Sequence, residues 1–140
     1  MNEIFQKTLA ILRSLSCYYQ TAHWTVKGPN YYGDHLLLQR LYDAVTGEID
    51  TVGEKSMGIT KDEGSVNLIK NIEMVSKIVN NIEYVDFFVG ALKLERAFVM
   101  FCDEQVKNLA NSEGVKNMYA DMADKHEGHV YLLQQRVTII

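Results

Sequence analysis

Apolar residues recur along this chain at steps of three and four, the signature of helices that bury one face. The first such stretch runs from about Asn2 to Val26, with Ile4, Thr8, Ile11, Leu15, Tyr18 and Ala22 on one side. The segment KGPN, with Gly28, Pro29 and Asn30, breaks it. A second stretch runs from about Asp34 to Met57 on Leu38, Leu41, Val45, Ile49 and Val52, with Gly58 as its expected C-terminal cap. The polar ITKDEGSVN reads as a loop, and LIKNIEMVSKI as a short helix. The third long pattern runs from about Asn80 to Asn111, carried by Val85, Phe88, Leu92, Val99, Val106 and Leu109. NSEG ends it, with Ser112 placed to cap the next helix. The fourth runs from about Gly114 to Val137 on Val115, Met118, Met122, Leu133 and Val137. VTII at the end is β-branched but too short for a convincing strand.

The pattern predicts an all-α, ferritin-like arrangement: a four-helix bundle with a short helix in the connection between the second and third helices. Helices of this length span about 36 Å, which suits lengthwise packing. The long middle connection would carry the chain along the bundle, so that the second and third long helices run parallel. Residues 1–140 are expected to form a single domain, a length that supports a real core without staples.

Composition adds limits. The net charge of −4 argues against a surface that grips duplex DNA and fits one that attracts cations. Cys17 and Cys102 lack C-x-x-C spacing, and their apolar surroundings suggest buried, reduced thiols. No apolar run approaches a membrane span, and the first residues do not resemble a signal peptide. A cytoplasmic protein is expected.

The chemistry-bearing residues lie mostly in the first two helices. Asp50 and Glu54 are four apart, so both carboxylates leave the same helix face. Alone they would read as a solvated acidic stripe. His23 near the end of the first helix and His35 at the start of the second would each read as an ordinary helix-end residue. Together the four supply nitrogen and oxygen ligands suited to iron or zinc. No Glu-x-x-His occurs, so the usual di-iron centre within a bundle is not expected. His35 and Asp50 are about 22 Å apart along one straight helix, too far to share an ion. If all four are ligands, the site is shared across a two-fold dimer, between antiparallel second helices. His126 and His129 lie near the apolar stripe of the fourth helix, where packing at an interface or surface is expected, with auxiliary metal binding as the lesser reading.

The segments AHWTVKGPNYYGDH, ending at His35, and LYDAVTGEIDTVGEK resemble the Dps family (DNA protection during starvation), the mini-ferritins. The shared features are a His-Trp pair, a second His twelve residues later, and an I-D-x-x-x-E segment. EGHVYLLQQ, from Glu127, resembles the family's last helix, so the likeness spans nearly the whole chain. It implies a hollow shell of twelve subunits in which His23 and His35 of one chain face Asp50 and Glu54 of another. There Fe(II) would bind and be oxidised, by hydrogen peroxide in preference to O₂. Ferric mineral would be stored inside, as protection against oxidative damage.

The resemblance has departures. Many relatives carry an acidic ligand four residues after the second His, where this chain has Gln39, a weaker ligand for hard cations. Asp43, one turn on, is the substitute. DNA-binding members often carry a basic terminal arm. Here Met1, Asn2 and Glu3 precede the first helix and RVTII ends the chain, so weak or no DNA binding is expected. Glu113 and Asp121 are candidates for an iron-entry pore, with solvated carboxylates as the plain alternative. Trp24 is either a quencher of stray oxidising equivalents or a buried structural residue. The rival functions are a DNA-coating or structural shell with vestigial iron chemistry, and a cage whose site holds zinc.

Overall fold

The computed structural model describes residues 1–82 and 86–138, and among them there is no strand. Two compact units divide the chain, Met1–Ile82 and Glu83–Ile140.

In the first unit, α1 (Asn2–Thr25) and α2 (Tyr31–Thr60) form a helical hairpin. Five residues reverse the chain between them, and Gly28 takes the left-handed φ of +98° that the turn requires. Leu9, Leu12, Leu15 and Tyr19 of α1, and Leu38, Leu41, Val45 and Val52 of α2, are almost wholly buried. A short 3₁₀ turn (Glu63–Val66) leads into α3 (Leu68–Asn80), which packs on α1.

Buried amides tie this connection down. Gln6 Nε2 donates to the carbonyls of Gly64 and Asn67, at 3.0 and 3.2 Å. Asn71 Nδ2 donates to the Gln6 carbonyl and to Gln6 Oε1, at 2.9 and 2.6 Å. Arg13 Nη1 donates to Asn71 Oδ1 at 2.7 Å. No buried side-chain nitrogen or oxygen of this set lacks a partner, as burial demands.

In the second unit, α4 (Phe87–Lys107) and α5 (Glu113–Val137) form another hairpin. Ser112 caps α5 as expected, accepting from Val115 N at 3.2 Å.

Several boundaries and faces differ from the sequence reading. α2 continues past Gly58 to Thr60, and its cap is Lys61, in left-handed backbone at φ 53°. The residues around Asn80 belong to α3, while α4 begins only where Asp86 caps it, accepting from Phe88 N and Val89 N. Val85 lies outside the described residues. Leu109 is 92 % exposed, beyond the end of α4. The buried stripe of α4 includes Phe88, Ala91, Leu92, Glu95, Phe98, Cys102 and Gln105; it keeps Phe88 and Leu92 of the expected face, leaves Val99 and Val106 half-buried, and takes in a carboxylate that apolar spacing does not predict. Neither cysteine forms a disulfide, but only Cys102 is buried; Cys17 is exposed, outside the arc that α1 buries through Leu15 and Tyr18. No described helix is long and apolar enough to cross a membrane.

Candidate metal centre

The α1–α2 turn brings His23, in the last turn of α1, beside His35, in the second turn of α2. Their rings stack with centroids 3.8 Å apart and 19° between planes. His23 Nδ1 donates to the His35 carbonyl and His35 Nδ1 donates to the His23 carbonyl, each at 2.9 Å. A carbonyl only accepts, so both Nδ1 atoms carry the proton. Deprotonated at Nε2, a ring so held offers its lone pair there, on the atom a metal would take, and the carbonyl bond fixes the ring's direction as an outer partner does in metal sites. Gln20 Nε2, donating to Tyr42 Oη at 3.1 Å, ties the neighbouring turns of the two helices. The Tyr31 ring lies 5.1 Å from that of His35.

Asp50 and Glu54 stand far along α2, both exposed, at the rim of a depression of about 390 Å³ that Leu9, Arg13, Gly53 and Met57 help to line. Arg13 is held there by its bond to Asn71. The fold therefore joins the histidines to each other and leaves the carboxylates together elsewhere, since about 22 Å of helix separates His35 from Asp50. Gln39 and Asp43 follow His35 at four-residue steps and are exposed. At 100° per residue, His35, Gln39, Asp43, Asp50 and Glu54 all fall within about a third of the circumference of α2.

Other candidates lie apart. Trp24 is 66 % exposed in the single chain. Glu113 pairs with Lys116 at 3.6 Å, and Asp121 with Lys125 at 2.9 Å, both pairs along α5.

His126 and His129 do not pack at a surface. Both are buried, and both hydrogen-bond Glu95 of α4: His126 Nδ1 on Oε2, and His129 Nδ1 on Oε1 at 3.1 Å. Phe98 packs edge-on against His126, with centroids 4.6 Å apart. Burial alone would push the Glu95 carboxyl up, but the hydrogen bonds and charge of the two histidines outweigh it and bring it down to about 2. Sequence reading missed Glu95. The available signal was a charge three and four residues from Leu92, Ala91 and Phe98, in the middle of an apolar stripe, matched by two histidines in the stripe of α5.

No family model matches the chain. It is similar to a DNA protection during starvation protein of Brevibacillus brevis, 30 % identical over 126 residues, covering 80 % of this chain and 77 % of the relative. Its structure is similar to the X-ray structure of Dps from Thermosynechococcus elongatus, with a TM-score of 0.88 over 99 % of this chain and 90 % of that one, at 15 % identity. The second likeness shows the ferritin-like fold expected from the helix pattern. The first shows kinship, and the chain belongs to the Dps family of DNA protection during starvation proteins.

Proposed function

We propose that this protein is a ferroxidase and iron store whose reaction site forms only between two copies of the chain. The observation that carries this is the reciprocal bonding of His23 and His35, which aims two Nε2 lone pairs from one place while the matching carboxylates, Asp50 and Glu54, stand on the same helix out of reach. A two-fold partner with its α2 antiparallel would supply them. For His35 to meet Asp50 and Glu54 of the partner, the axis must pass near Asp43 and Ala44, which places Gln39 and Asp43 between the two symmetric sites. Trp24, Tyr31, Tyr32 and Leu36, all exposed beside the histidines, form an apolar surface that such a partner would cover.

Iron is the substrate. Two neutral imidazoles and two carboxylates suit Fe(II), and the carboxylates hold the Fe(III) product more tightly still because it is the harder ion. With hydrogen peroxide as oxidant, a pair of Fe(II) ions gives one electron each, the O–O bond breaks, and two hydroxides leave with no hydroxyl radical freed. O₂ is the slower oxidant in this reading, and zinc can substitute without turning over. Gln39 makes the second iron the weaker-bound, with Asp43 as its nearest carboxylate. Glu113 and Asp121 are the proposed entry carboxylates of a twelve-subunit shell, and exposed Trp24, next to His23, the quencher. The fold and family support a cytoplasmic shell that stores ferric mineral. The charge of −4 favours cations over DNA, so plasmid is expected to run unshifted with the protein even at low salt.

The test is anaerobic addition of Fe(II) and then peroxide, with ferric absorbance followed in time. The double substitution Asp50→Ala with Glu54→Ala is expected to slow oxidation at least about tenfold, since loss of an outer partner alone costs about 10–100-fold. Oxidation at the parent rate would overturn the site.

A further inference from the structure

We propose that Glu95, His126 and His129 form a second metal site, contained in one chain, for a divalent ion that takes nitrogen and oxygen ligands, of the Zn(II) or Fe(II) class. This goes beyond the shared site above and needs no partner. His126 and His129 are three apart on α5 and so lie on one face, and Glu95 meets them from α4. Each residue offers a ligand atom, and the three atoms lie within 4.8 Å of one another. An ion bound at about 2.1 Å needs its ligand atoms about 3.4 Å apart, so the three side chains close by up to about 1.4 Å, which rotation of the imidazoles and the carboxylate supplies. Two histidines and one carboxylate leave coordination positions open, the donor set of non-haem iron and of catalytic zinc sites.

The burial of the cluster argues the same way. Glu95 and His126 are fully buried and His129 is 8 % exposed. Three ionisable side chains in a helical core are expensive, and apolar residues of equal size would serve packing as well or better. A divalent ion turns that expense into binding, since it takes the carboxylate charge and one lone pair from each ring. The cluster is fully hydrogen-bonded without metal, which lets the hairpin fold first and load afterwards.

The chain has four histidines, so removing His23 and His35 leaves only the pair. The experiment uses the full chain carrying His23→Ala, His35→Ala, Asp50→Ala and Glu54→Ala, dialysed against Co(II) at neutral pH, with circular dichroism as the check of fold. The expected result is one Co(II) per chain, with X-ray absorption showing two imidazole neighbours. Adding His129→Gln should weaken binding by more than the about 10–100-fold that loss of an outer partner costs. No retained Co(II), a single imidazole neighbour, or binding indifferent to His129→Gln would each overturn the proposal. If the Gln variant does not fold, the imidazole count in its parent decides alone. None of these readouts depends on iron oxidation at the shared site, so the two proposals fail separately.

Discussion

His23 and His35 hold each other by their main chains: the Nδ1 of each donates to the carbonyl of the other at 2.9 Å, with the rings stacked between. Neither ring can turn without breaking its bond, so the two Nε2 atoms are set in direction before any metal arrives. Such preorganisation lowers the ordering cost of binding. In the proposed function it leaves each chain with half of a ligand set.

Half-sites make a complementation experiment decisive. Protomers with His23→Ala and His35→Ala, and protomers with Asp50→Ala and Glu54→Ala, should each be inactive alone. Unfolded together and refolded, they should regain about a quarter of the parent's ferroxidase sites, because half of random dimers are mixed and each has one complete site of two. Ferric absorbance per chain measures this, and zero recovery would show that the four residues do not meet across chains.

Gln39 should limit the second iron. Gln39→Glu adds a carboxylate one turn from His35 and is expected to raise the Fe(II) bound per dimer in equilibrium dialysis, since a carboxylate binds hard cations better than an amide. An unchanged isotherm would remove Gln39 from the site.

Glu95 should make the metal-free protein sensitive to acid. Its folded pKa, about 2, lies below the ordinary 4.5. Its contribution to stability is therefore fully present above about pH 4.5 and is lost as pH falls from there towards 2. Glu95→Ala leaves two buried imidazoles without their acceptor and should cost about 3–5 kcal/mol at neutral pH. Thermal melts of parent and variant should differ most above pH 4.5 and converge below it.

Lys61 closes α2 in left-handed backbone, where a Cβ is unfavourable. Lys61→Gly is expected to stabilise the protein by about 0.5–1 kcal/mol in urea titration. Any loss of stability would contradict the cap geometry.

Asn71 joins α3 to α1 through Gln6 and Arg13. Asn71→Ala strands the Gln6 acceptors and should cost about 1–3 kcal/mol, with faster amide exchange concentrated in α3. Uniform change across the chain would mean that the amides do not anchor the connection locally.

The helices themselves were legible in the chain. Apolar spacing, Pro29 with its neighbouring Gly28, and the Ser112 cap act within a few residues, so local chemistry settles them. The spacing of the four candidate ligands was read from the chain as well, and helix rise alone separated His35 from Asp50. Tertiary structure decided what depends on distant partners. It set which face α4 buries, because Glu95 is tolerable in a core only where His126 and His129 arrive from α5, more than thirty residues on. It likewise set the proton on each Nδ1 of His23 and His35, which depends on two carbonyls brought alongside by a turn. Periodicity counts apolar residues and is blind to a polar group whose partner lies on another helix; only the packed chain shows that the charge is satisfied.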